Sequence, residues 1–282
     1  MLKSVLKSIA PLLPVALVLA AILSTMVPAQ AAPPKGESWK LVWNDEFKGS
    51  QIDETKWERL GDFKRQQGFW VKEDSYLDGQ GHLVLRVKKD SADRYTAGGV
   101  RTRDKYEHGF GYFEAKVKFP TQPGHWCAFW IMGHHVSPGP NEGRDGTEID
   151  IMEKAWLTDH VQHALHWGGY GKDHKTTGHP VRNMGMNDGA WHVFGVNWTP
   201  TNYVFYVDGK ESWRTNAGGV SQVPEYIKLT EEIGHFGKGA DVWGTGPISE
   251  ATLPDQYLID YVRVYESKVS RWRFWPWPRR RG

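Results

Sequence analysis

The segment "GYFEAKVKFP" alternates Phe113, Ala115, Val117 and Phe119 with Tyr112, Glu114, Lys116 and Lys118. A period of two suits an extended strand with one buried face and is wrong for a helix. The pattern recurs along the chain. "HLVLRVKK" places Leu83, Leu85 and Val87 on one side, "HVFGVNWTP" follows further on, and "QYLIDYVRVYE" is β-branched and aromatic. "NYVFYVDGKESW" breaks at Asp208-Gly209, a hairpin turn signal. "HWCAFWIMG" is apolar on both faces, as a central strand between packed layers would be. Long helical periodicity is missing, and Gly-, Pro-, Asn- and Asp-rich loops such as "GHHVSPGPNEGRDG" separate the strands. These features predict an all-β chain, an antiparallel β-sandwich of jelly-roll type.

Three regions are expected. Lys3 and Lys7, an apolar run from Ile9 to Val27, and Ala29-Gln30-Ala31 follow the order of a secretory signal peptide, so residues 1–31 are read as a cleaved leader. The rival reading, a membrane anchor, is disfavoured by Pro11 and Pro14 inside the run. Residues 32–267 form the body, long enough for one large core. Residues 268–282 form a tail, "KVSRWRFWPWPRRRG", whose Trp272, Trp275 and Trp277 interleave with Arg and Pro. Such a tail has no means of packing a core. Its composition suits adsorption to an anionic membrane or envelope surface, against the plain alternative of a solvated tail.

With 35 basic and 33 acidic residues the chain is nearly neutral, but six bases lie in the tail and two in the leader. The body is therefore mildly acidic, which argues against nucleic acid as the ligand. Cys127 is the only cysteine, so no internal disulfide forms, and its apolar neighbours predict a buried, inert thiol. Twelve of the fifteen tryptophans lie in the body, where they serve either the core or sugar stacking.

The chemistry concentrates in "DGTEIDIMEKAW". Glu148 and Asp150 are two apart and share a strand face. Glu153 lies five from Glu148 and by strict alternation faces the other way, into the side that Ile149 and Ile151 must bury. The bland alternatives are a solvated acidic face or a cation site. Hydrophobic residues between the acids need a core beneath them, which disfavours the first. A β-bulge at Ile151-Met152 would return Glu153 to the face of Glu148 and Asp150. Four strand steps then separate the glutamates, on the order of 13 Å between Cα atoms. Long side chains leaning together could bring the carboxyls to the roughly 5–5.5 Å of a retaining glycosidase. Asp150 between them would crowd like charge and raise proton affinity.

With "EIDIME" in view, the chain resembles glycoside hydrolase family 16, whose bulged Glu-x-Asp-x-x-Glu signature lies on an inner strand of a β-jelly roll. "LVWNDEF", "GGVRTRDKYEHGFGYFEAKVKFP", "GHWCAFWIMG", "FGVNWTPTNYVFYVDGK" and "LIDYVRVYE" resemble family segments in the same order. The resemblance implies a concanavalin/lectin-like fold with a cleft on the concave sheet. It implies Glu148 as nucleophile, Glu153 as general acid/base and Asp150 as assisting carboxylate, with no cofactor required for catalysis. Trp126 and Trp130 match positions lining the cleft, with His166 beside the acids and Trp243 as a further platform. Each has an ordinary structural alternative, a core Trp or a hydrogen-bonding His. A structural calcium is implied on the outer face, with Glu46 and Asp260 as its donors.

The expectation is a secreted, monomeric, retaining endo-β-glycosidase acting on a polysaccharide, with β-1,3-glucan (laminarin-type) leading. Cys127 stands where the laminarinase-like branch has Pro, and "YIKLTEEIGHFGKGADVWGTG" carries Glu231 and Glu232 in place of an apolar segment. These departures keep open a β-galactan of agar, porphyran or carrageenan type, or transglycosylation. The rival from another class is a non-catalytic carbohydrate-binding lectin, which gains nothing from three crowded carboxylates.

Overall fold

The computed structural model describes residues 33–91, 94–136, 138–234 and 244–268. The expected leader, Trp243 and the tail beyond Lys268 lie outside these residues. Among the described residues the chain is an all-β jelly-roll sandwich of an eleven-stranded and an eight-stranded sheet.

The eight-stranded sheet carries the acids. Its strands run in the order Lys175–Arg182, His160–Trp167, Glu148–Lys154, His125–Met132, Glu225–Ile233, Gly99–Arg101 and Glu58–Arg59, with Glu107–His108 also paired to Glu225–Ile233. All neighbours are antiparallel. Its position places "HWCAFWIMG" centrally, and both faces are covered: Cys127, Phe129 and Ile131 are fully buried in the core, and Trp130 is 6% exposed on the other side.

In the facing sheet the antiparallel run Lys210–Thr215, Tyr203–Val207, His192–Trp198, Gly111–Lys118, Asp255–Ser267 and Leu83–Ser91 supplies most of the opposing wall. Leu83, Leu85, Val87, Phe113, Ala115 and Val117 are fully buried, as their alternation requires. The hairpin at Asp208-Gly209 forms with both residues at positive φ, 48° and 76°. That conformation matches the strand twist and favours Gly at the second position.

Gly111–Lys118 is not half-solvated as its polar alternation suggests, because Tyr112 and Glu114 are buried on the side facing away from the core. Tyr112 packs against Trp39, Tyr206 and Tyr265. Beneath these rings burial pushes the Glu114 carboxyl up to about 7.

Candidate active site

Ile149, Ile151 and Met152 fix the acid strand Glu148–Lys154. All three are fully buried in the main core, each worth about 1.5–3 kcal/mol relative to exposure. Against His125–Met132, Trp130 pairs with Asp150 and Phe129 with Met152, so Ile151 is skipped. Against His160–Trp167, Asp150 pairs with Ala164 and Glu153 with Gln162, so Ile151 and Met152 together oppose His163 alone. This two-for-one count is a β-bulge. It lets Ile151 and Met152 both enter the core and returns Glu153 to the side of Glu148 and Asp150. Without it, either Glu153 would enter the apolar interior or Met152 would leave it, and a buried unpaired carboxylate costs several kcal/mol.

Neighbouring strands extend the same face in rows. Glu148 lies between His166 and Met132, with Tyr226 beyond. Asp150 aligns with Trp130, Lys228 and Arg101. Glu153 aligns with Ala128, Thr230 and Gly99. Trp126 pairs with Glu232 at the far end.

The contacts are polar and crowded. Potential ligand atoms of Glu148, Asp150 and His166 all lie within 4.8 Å of one another. His166 Nε2 is 3.3 Å from Asp150 Oδ2, and its Nδ1 is 2.9 Å from His174 Nε2. The Tyr170 hydroxyl donates to Glu148 Oε2, and the Trp126 indole N–H donates to Glu153 Oε1 at 3.0 Å. Burial, then the Glu148 charge, pushes the Asp150 carboxyl well above its usual range. Burial, then Asp150, does the same to Glu153. Both effects penalise the charged form. Glu153 is therefore suited to keep a proton, while Glu148 is held in place by the hydrogen bond from the Tyr170 hydroxyl.

The structure brings Glu148, Asp150, Glu153, Trp126, Trp130 and His166 together on one face. Trp126 is partly exposed, whereas Lys228 Nζ sits 3.5 Å from the Trp130 ring centroid. The Trp130 ring thus backs a cation, and its indole N–H donates to Thr230 at 3.0 Å. Burial lowers Lys228 to about 7 despite the attraction of Glu148 and Glu232. Arg65 pairs with Glu232 at 2.9 Å.

Tyr170, His174, Lys228 and Arg65 were missed in the sequence. Lys228 had a signal, since Lys228 and Thr230 alternate with the apolar Ile227 and Leu229. Tyr170 and His174 sit in a loop with no periodic pattern.

The implied calcium donors do not fit a shared ion. Arg263 holds Glu46 with two hydrogen bonds of 2.9 and 2.8 Å, and Asn44 adds a third at 3.0 Å. Lys116 Nζ lies 2.6 Å from Asp260. Each carboxylate is already neutralised, so a calcium would have to displace a base. Asp104, Glu107 and His134 also converge, but Arg103 Nε donates to His134 Nδ1 at 3.3 Å. That leaves Nε2–H for Glu107, so the group is satisfied without an ion.

The profile of Glycosyl hydrolases family 16 matches residues 63–262. The chain belongs to this family. It is 30% identical over 250 residues to the keratan-sulfate endo-1,4-β-galactosidase of Sphingobacterium multivorum, covering 81% of this chain and 55% of that one. It is 25% identical over 273 residues to glucan endo-1,3-β-glucosidase A1 of Niallia circulans, covering 81% and 38%. The endo-β-1,3-glucanase of Pyrococcus furiosus superposes with a TM-score of 0.68 at 26% identity, covering 83% of this chain and 97% of that one. The chain spans 34–55% of the length of the curated relatives it first matches.

Proposed function

We propose that this family 16 chain is a retaining endo-β-glycosidase that cleaves a polysaccharide by double displacement, with β-1,3-glucan as its leading substrate. The bulge carries the reading, because it puts Glu148, Asp150 and Glu153 on one face. Glu148 attacks the anomeric carbon while Glu153 delivers its proton to the leaving oxygen, giving a covalent glycosyl-enzyme at Glu148. Glu153, now a carboxylate, deprotonates the incoming water, and configuration is retained. Asp150 crowds Glu153 and raises its proton affinity, and it lies 3.3 Å from His166 Nε2. Trp126 orients the Glu153 carboxyl and offers its ring to a sugar. Export through residues 1–31 and action as a monomer belong to the same proposal.

A β-galactoside is the second reading. The floor strand carries Lys228, Thr230 and Glu232 opposite Trp130, Ala128 and Trp126. Glu232 is one of the two acids that depart from the apolar segment of the laminarinase-like branch, and the 30%-identical Sphingobacterium relative is named for a galactosidase. The deciding experiment incubates the mature chain with laminarin, mixed-linkage glucan, keratan sulfate, agarose and carrageenan and measures reducing ends. Glu148→Ala and Glu153→Ala are run beside it, each expected to lose on the order of 10²–10⁴-fold in kcat. Full activity in either variant rejects the assignment. Glycan binding without cleavage of any polymer supports the lectin.

A further inference from the structure

We propose that His163 is a positioning residue that sets the geometry of the catalytic carboxylates by tying together two β-bulges, one in each sheet. The inference rests on the reading of Glu148 and Glu153 as the reacting pair. His163 occupies a core-face position between Val161 and Leu165, where the alternation calls for an apolar side chain, and it is fully buried. Its Nδ1 lies 2.6 Å from the carbonyl oxygen of Ile151. Ile151 is the residue with a partner in neither flanking ladder.

The other nitrogen reaches the opposite sheet. His163 Nε2 is 2.8 Å from Ser212 Oγ. Within Lys210–Thr215, Trp213 pairs with Phe205 and Glu211 with Tyr206, so Ser212 is itself the skipped residue of a second bulge. Phe205 stacks on the imidazole at 4.7 Å between centroids and packs in turn on Trp213. The ring is thus fixed in plane and in tilt.

The carbonyl can only accept, so Nδ1 carries the hydrogen and Nε2 accepts from the serine hydroxyl. Burial lowers the imidazole to about 4, which keeps it neutral in this tautomer through the neutral pH range. A bulge residue left out of its ladder leaves main-chain groups needing other partners. Here the carbonyl just before the Met152–Glu153 step is pinned by a rigid ring anchored on the far sheet. Rotation of that peptide would swing Glu153 relative to Glu148 and Asp150. A 1 Å displacement of a reacting group can cost on the order of 10²-fold.

The test uses the full chain with His163→Leu, His163→Asn and Ser212→Ala, assayed on laminarin or on keratan sulfate if that polymer is cleaved. The Glu153 protonation midpoint is followed by NMR on ¹³C-labelled glutamate, which needs no substrate. His163→Leu is expected to lose on the order of tenfold to a hundredfold in kcat, with KM within about twofold. The Glu153 midpoint should fall toward the ordinary carboxylate range as Glu153 drifts from Asp150. Asn places an amide N–H where Nδ1–H stood, so His163→Asn should recover most of the loss. Ser212→Ala should lose a few-fold and shift the midpoint in the same direction. Unchanged kcat and midpoint in His163→Leu, with only a lower Tm, would overturn the proposal, as would His163→Asn no better than His163→Leu. If His163→Leu does not fold, Ser212→Ala decides, and an unchanged midpoint there overturns it. Activity retained in Glu148→Ala or Glu153→Ala sinks the catalytic reading instead, and the midpoint still reports on His163.

Discussion

The central strands His125–Met132 and Glu225–Ile233 border buried acids on both sides, and the two sides treat them in opposite ways. Toward the core, Glu231 is fully buried yet surrounded by donors. It accepts from His125 Nδ1 at 3.1 Å, from the Trp126 backbone N–H at 3.3 Å and from the Cys127 thiol at 2.8 Å. His125 Nε2 continues to Asp255 of the opposite sheet at 3.4 Å. On the cleft side, Asp150 and Glu153 stand near Glu148 and each other, and like charge adds to burial in raising their proton affinity. Opposite charges in contact tie the two sheets together, whereas like charges in contact store unfavourable energy that only a reaction would use.

Substitution should separate the two sides. The largest expected effect is on rate: the Glu153→Ala loss given above, with the fold intact. Glu231→Ala should do the reverse, destabilising by about 3–5 kcal/mol because it removes the nearer of two carboxylates that neutralise buried His125. Denaturant unfolding measures the second, and kcat of the folded fraction should stay within a few-fold of the unaltered chain. A rate loss in Glu231→Ala as large as that in Glu153→Ala would erase the distinction between the faces.

pH sharpens the contrast. Despite burial, Glu231 and Asp255 raise His125 to about 9. The folded value lies above the unfolded one near 6.5, so this contribution is full below about 6.5 and is lost as pH rises through about 9. Unfolding curves at pH 6, 8 and 10 should show that decline, and Glu231→Gln should flatten it. A decline of equal size in Glu231→Gln would assign it to other groups.

The acids of the cleft carry the same sign for a different reason. Asp150 and Glu153 bind protons more tightly folded than unfolded, so their ionisation opposes folding as pH rises above the ordinary carboxylate range. Asp150→Asn should therefore raise stability at pH 7 by roughly 0.5–2 kcal/mol, the usual size of such gains, while lowering kcat. A destabilised Asp150→Asn would mean that the electrostatic contact with His166, at 3.3 Å, outweighs the crowding.

How much of this was legible follows from the reach of a period-two argument. It reads which face a residue occupies, so it found the core of Gly111–Lys118 and the anomaly of Glu153. Ile149, Ile151 and Met152 all needing burial made a bulge the inexpensive solution. It cannot read what lies across from a side chain. Tyr170 returns to Glu148 along a loop with no pattern, and Ser212 meets His163 from another sheet. The sequence did contain a polar residue at a core position, His163 between Val161 and Leu165, and Glu231 between Leu229 and Ile233 is the same kind of signal. A polar residue in an apolar register predicts a partner without naming it.

The smallest expected effect concerns the implied calcium, where sequence and structure diverge for that reason. Glu46 and Asp260 are visible as carboxylates in the sequence, but Arg263 and Lys116 reach them only through strand pairing. Arg263 holds the Glu46 carboxyl below its ordinary range, as a filled bidentate pair should. A divalent ion held by these two carboxylates would forfeit both ion pairs, and calcium takes six to eight oxygens in all. Thermal melts with a chelator and with added calcium should therefore coincide within about 1 °C, since a stabilising ion at a hundred times its Kd adds about 2.7 kcal/mol and would shift Tm by several degrees. A chelator-sensitive melt that Glu46→Gln abolishes would show that the ion displaces Arg263, and the outer face would then be held by a metal rather than by the ion pair described here.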